Sequence, residues 1–153
     1  MNASIQTKFY ESAFFNFSYR HRIQTLKISM KCHTNNLTTQ QLPLTTKILK
    51  QNLPSVLLTS CFNSEGLSFQ KEVKKTEIAH LFEHLLLEYL CLEKITQGHS
   101  SASFSGRTHW NWIKFPRGSF FISITIEKTD LKFLPQSLSK SVVLLEKILS
   151  SAI

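Results

Sequence analysis

Residues 75–92, KTEIAHLFEHLLLEYLCL, decide the reading of the fold. Ile78, Leu81, Phe82, Leu85, Leu86, Tyr89, Leu90 and Leu92 recur at the three- and four-residue spacing of one wide helical face. That spacing predicts an amphipathic helix which other elements must cover. Thr76 stands where a cap is expected, and the helix should end before Gly98. Three ionisable side chains, His80, Glu83 and His84, interrupt the apolar face.

Upstream of this helix, residues 1 to about 20 are rich in Phe and polar residues without clear periodicity and are expected to be irregular. From Ile23 to Lys31, Leu26, Ile28 and Met30 alternate with Lys27, Ser29 and Lys31, the period of a half-buried strand. Thr38 to Ser60 carries Leu44, Ile48 and Leu49, with Pro43 near a plausible helix start and Pro54 interrupting, which predicts one helix ending near Leu53. Cys61 to Phe69, with Asn63 and Gly66, reads as a loop.

Downstream, Ser103 to Ile113 and Ser119 to Glu127 read as two strands of a hairpin joined by a turn containing Pro116 and Gly118. Asp130 to Ser151 places Leu134, Leu138, Val142, Leu145, Ile148 and Leu149 on one helical stripe. The fold class is therefore α+β: a small, mostly antiparallel sheet with helices packed on one face and the His/Glu run on a central helix.

At 153 residues the chain is long enough for one real core and too short for two, so residues 1–153 are read as a single domain. The composition, with 42% hydrophobic residues, 18% charged residues and twelve Phe, is that of a globular chain. A formal charge of +8 admits an anionic partner. The cations are spread along the chain with no zinc-finger or RNA-recognition signature, so nucleic acid is not the expected partner. Cys32, Cys61 and Cys91 are far apart and form no CxxC pair, which argues against a disulfide framework. With no leader pattern and no stretch of roughly 18 apolar residues, a cytoplasmic protein that does not enter a membrane is expected. The apolar stripes leave a homo-oligomer open.

His80 and His84, four apart on a helix, emerge one turn apart on the same side and can grip one metal ion. Glu83 lies beside them, where it can take a proton from a metal-bound water and pass it to a leaving amine. The order HxxEH is the inverzincin signature, the mirror of HExxH. Chance can assemble two His and a Glu; ionisable groups on an apolar face, however, are costly unless paired or coordinated. Zinc is the expected ion, and it needs a third protein ligand. Glu88, about 12 Å of helix rise from His80, is a candidate either for that ligand or for a partner that orients the ligands. Glu146, His99 and His109 are fallback ligands that only folding could bring near.

In SFSGRTHWNW, residues 103–112, Gly106 permits close backbone approach, while Arg107, Thr108, His109 and Asn111 stand beside Trp110 and Trp112. This stretch is expected to line a substrate groove, with Arg107 gripping a carboxylate as a bidentate fork and Thr108 beside it. The plainer reading is a strand with aromatic cross-strand pairs and alternating polar residues.

The runs LPSVLLTSCFNSEGLSF (53–69), TEIAHLFEHLLLEYL (76–90) and FSGRTHWNW (104–112) together resemble the N-terminal domain of cyanophycin synthetase. In that family a LPGL…C segment precedes a T-x-x-x-H-x-x-E-H-x-x-x-E-L helix and a G-[RK]-T strand. The likeness covers about residues 50 to 127. More distantly, HLFEH looks like the zinc helix of pitrilysin-type peptidases, though the distal glutamate of that group has no clear counterpart.

The resemblance implies an α+β domain with a metallopeptidase-like centre that handles cyanophycin, a polymer with an aspartate backbone and arginine side chains. Carried over by position, His80 and His84 would hold zinc and Glu83 would act as base. Glu88, Arg107 and Thr108 match family positions in or beside the site, Arg107 being grouped with Glu83 as catalytic. No ATP-grasp, Mur-ligase-like or P-loop segment lies in these residues, so synthetase activity is not expected of them. The expected function is zinc-dependent cleavage of amide bonds in cyanophycin or a related peptide polymer. The alternative is a non-catalytic module that holds a polymer or partner protein in the same cleft.

Overall fold

The computed structural model describes residues 7–61 and 68–152. Its strands are β1 (Lys8–Glu11), β2 (Phe15–Arg22), β3 (Thr25–Cys32), β4 (Ser105–His109) and β5 (Ser119–Thr125). Its α-helices are α1 (Thr45–Asn52), α2 (Phe69–Glu72), α3 (Ile78–Thr96) and α4 (Leu134–Ser150). The strands form one antiparallel sheet in the order β1-β2-β3-β5-β4, so the α+β architecture expected from periodicity is the one observed.

Strict alternation organises the sheet. Phe15 and Phe17 of β2, Leu26, Ile28 and Met30 of β3, and Phe120, Ile122 and Ile124 of β5 are buried under the helices. Between them Ser18, Arg20, Lys27, Ser29, Phe121 and Ser123 turn to the other face. The Phe82 ring of α3 meets Phe17 at 5.4 Å and Phe15 at 6.3 Å, joining helix and sheet in one core with Leu81, Leu85, Leu86 and Leu90. α4 is tied to this unit at three points: the Tyr10 hydroxyl donates to Glu146 (2.9 Å), Lys140 pairs with Glu93 (2.7 Å), and just ahead of α4 Asp130 pairs with Lys94 (3.0 Å).

Several boundaries differ from expectation for identifiable reasons. Residues 8–20, within the stretch expected to be irregular, form β1 and most of β2; aromatic residues fall on both faces there and mask the alternation. β2 and β3 are joined by Ile23 and Gln24 alone, and Ile23 adopts φ of 60°, a conformation hairpins ordinarily give to Gly or Asn. The segment expected as one helix from Thr38 is a 3-10 turn at Thr39–Gln41 followed by α1, with a second 3-10 stretch at Pro54–Leu58.

β4 stops at His109, four residues before its expected end. There the Asn111 side chain accepts from the backbone N–H groups of Ile113 and Lys114, and Trp112 Nε1 donates to the Ser119 carbonyl (2.9 Å). α4 begins at Leu134 instead of Asp130, because Lys128–Phe133 forms a 3-10 turn. The expected loop at 61–69 falls mostly outside the described residues; within it, Phe69 opens α2. Among the described residues no helix is long and apolar enough to cross a membrane.

A candidate metal centre on helix α3

α3 carries the HLFEH run with its two imidazole rings on the side facing α2 and the Pro54–Leu58 turn. His84 is buried and His80 half-buried, and their ring centroids lie 4.8 Å apart at an interplanar angle of 79°. Helical geometry alone accounts for this convergence. The tertiary fold then fixes each ring. Phe69 stacks flat on His84 at 3.8 Å and 11°, while His84 Nδ1 lies 3.4 Å from the Thr59 hydroxyl. His80 Nδ1 contacts the Thr76 hydroxyl at 2.7 Å, which leaves Nε2 pointing at Cys61 Sγ, 3.5 Å away.

Thr76 therefore does not cap α3. The N-cap position is Glu77 and has no side-chain cap bond; the Thr76 backbone N–H donates to Thr39 Oγ1 (2.9 Å), which leaves its hydroxyl to orient His80.

Cys61, His80 and His84 form a group whose candidate donor atoms all lie within 4.8 Å of one another. A tetrahedral zinc, with bonds of about 2.0–2.1 Å to nitrogen and about 2.3 Å to sulfur, requires donors about 3.3–3.6 Å apart. The Cys61–His80 pair already meets that spacing. The donor set of two imidazoles and one thiol is chemically suited to zinc, and a ring held by a hydrogen bond at its other nitrogen is the usual arrangement at such a centre.

Glu83 is also buried, and its Oε1 accepts a hydrogen bond from the Thr108 hydroxyl of β4 at 2.9 Å. Burial pushes its carboxyl up to about 7, against the lowering effect of the Thr108 bond. Burial likewise lowers His80, and it lowers His84 to about 3 with a further contribution from His80. The 3.9 Å approach of His84 Nε2 to Glu83 Oε2 is therefore not an ion pair in any strong sense, since burial disfavours both charges. Neutral imidazoles are what a metal requires.

Gly106 is the other fitted piece. A Cβ there would meet Glu83 Cγ at 3.3 Å and Ile124 Cγ1 at 3.2 Å, so the absence of a side chain lets β4 lie close over α3.

Two of the expected site residues are positioned elsewhere. Glu88 does not join the Cys/His group; its Oε1 accepts from Ser55 (2.8 Å), because eight residues of helix carry it beyond the reach of His80. Arg107 sits between Gly106 and Thr108 on a strand whose side chains alternate, so it pairs across to Ser123 on the opposite face of the sheet and is exposed. Glu146 is bonded to Tyr10, His99 lies edge-on to Phe133, and His109 stacks on Phe121; none reaches the cluster.

Cys61 is the ligand candidate that the spacing of residues missed, since a cysteine 19 positions from its nearest histidine leaves no local pattern. Its place in the LPSVLLTSC run was the available signal. No protein-family model matches the sequence, and no curated protein matches it. The functional reading accordingly rests on the geometry of this site.

Proposed function

We propose that the chain is a zinc-dependent hydrolase that cleaves amide bonds in a peptide-like polymer of the cyanophycin type. His80, His84 and Cys61 would be the metal ligands and Glu83 the general base. The observation that carries this reading is the convergence of three donor side chains within 4.8 Å beside a buried carboxylate anchored by Thr108.

A zinc ion bound by these donors would supply a Lewis acid and a water activated near neutral pH. The chain's own residues do the rest. Thr108 holds one Glu83 oxygen, which leaves Oε2 on the side of His84, where it can take a proton from the attacking water and return it to the leaving amine. Thr76 and Phe69 keep the two imidazoles from rotating. A reducing compartment such as the cytoplasm would keep Cys61 available as a thiolate ligand.

Elemental analysis of the purified wild type beside His80→Ala, Cys61→Ser and Glu83→Gln, with cyanophycin cleavage followed on the same samples, tests the proposal. The expected result is about one zinc per chain, lost in the first two variants and retained in Glu83→Gln, with cleavage lost in all three. A wild type that binds no metal and cuts nothing would leave the non-catalytic binding module as the reading.

One observation favours a second chemistry. Cys61 Sγ lies 3.5 Å from His80 Nε2, and His80 is oriented from behind by Thr76, the arrangement of a thiol nucleophile with its base. In that case the thiolate adds to the carbonyl carbon, His80 protonates the departing amine, and water releases the acyl group from sulfur. Cleavage would then survive chelation and Glu83→Gln but stop on alkylation of Cys61.

A further inference from the structure

The face of the sheet turned away from the helices collects cations that are dispersed along the sequence. Cross-strand register aligns Arg20, Lys27, Ser123 and Arg107 in one row across four strands. Arg22 lies on the same face in the next row on one side and Lys31 in the second row on the other, and Glu11, in the row of Lys31, is the single carboxylate there among the described strand residues. Arg20, Lys27 and Arg107 are exposed, and among the described residues none of them is in a salt bridge. Their positive potential is therefore not offset by an ion pair among the described residues.

The adjacent row, two residues along the strands and so about 7 Å away, is aromatic at both ends. Phe121 stacks on His109 at 5.5 Å and takes Phe115 edge-on at 4.8 Å. At the far end of that row Phe9 is 79% exposed. Between them Ser18 and Ser29 floor an open groove of about 350 Å³.

We propose that this open face binds single-stranded nucleic acid, with phosphates along the Arg20–Lys27–Arg107 row and bases stacked on Phe121 and Phe9. A cationic row beside aromatic rings, Phe9 exposed and Phe121 half-buried, suits a single strand, because its bases present free π-faces. A duplex hides those faces and would use only the charges. Open antiparallel sheets are a general platform for such stacking. The proposal is independent of the metal centre, which lies under the opposite face.

Fluorescence anisotropy of the full chain with a labelled 15-nucleotide single-stranded RNA, measured over a range of salt, provides the test. Binding should weaken steeply as salt rises. Lys27→Ala with Arg107→Ala should flatten the slope of log K against log salt by about 1.4, at about 0.7 per phosphate contact. Phe121→Ala should weaken binding about tenfold while leaving that slope unchanged. An RNA duplex of the same length should bind more weakly than the single strand. No binding at low salt overturns the proposal. So does an equal affinity for poly-glutamate or for the duplex together with an unaltered Phe121→Ala, since either means a face that attracts any polyanion. Circular dichroism of each variant confirms that a loss is not unfolding.

Discussion

On the helix-covered face of the sheet Glu83 and His84 are buried, one held by the Thr108 hydroxyl and the other against the Phe69 ring, whereas on the open face Arg20, Lys27 and Arg107 are exposed with no carboxylate among the described residues paired to them. The same strand supplies both environments. In β4, Gly106 and Thr108 press on α3 while Arg107 and His109 look outward. Ionisable groups on the covered face carry a desolvation cost that must be offset by a hydrogen bond or a metal, so each has one defined geometry. Those on the open face carry no such cost and act through the field they sum to.

Substitutions can break this contrast, and the largest effect is expected at the covered site. Glu83→Gln keeps shape and the Thr108 contact but removes the proposed base, so on the zinc-hydrolase proposal polymer cleavage should fall roughly 10²–10⁴-fold while zinc content stays near wild type. A steady-state assay of product release reads the first, and elemental analysis the second.

Phe82→Ala should come next in size. It removes the ring that joins α3 to Phe15 and Phe17 and should cost about 3–5 kcal/mol in urea unfolding. Thr108→Val preserves volume but leaves the buried Glu83 oxygen without its donor, with an expected cost of about 1–2 kcal/mol and a slower cleavage rate. Arg107→Ala, one residue away on the strand, should shift stability by less than about 0.5 kcal/mol and leave metal content unchanged, because its side chain is solvated. If Arg107→Ala instead removed metal or cleavage as strongly as Thr108→Val, the assignment of the two residues to opposite faces would be wrong.

Legibility in the sequence followed the clarity of the apolar pattern. β3, β5, α3 and α4 are readable because their buried residues recur at one period with polar residues between, whereas β4 has no buried residue and is legible only as the hairpin partner of β5. β2 has the same alternation in FNFSYRHR, but the half-polar Tyr19 and His21 point inward, and Phe9 and Phe14 nearby break the pattern. At the candidate site the His80–His84 pair and Glu83 were readable because helix geometry is local. Glu88 is visible as a candidate because it belongs to the same helix, whereas Cys61 carries no local signal and is brought in by packing of the turn that precedes it.

By itself the sequence determined that a helix must bury its HLFEH face and that two imidazoles would emerge together from it, since 3.6 residues per turn permits no other outcome. It also set the charge at +8. Only the tertiary structure decided which thiol joins the imidazoles, which hydroxyl holds the carboxylate, and that cations as far apart in the chain as Arg20 and Arg107 share one row. Those outcomes depend on strand order and register. They arise when distant segments bury a common core, and no spacing along the chain encodes them directly.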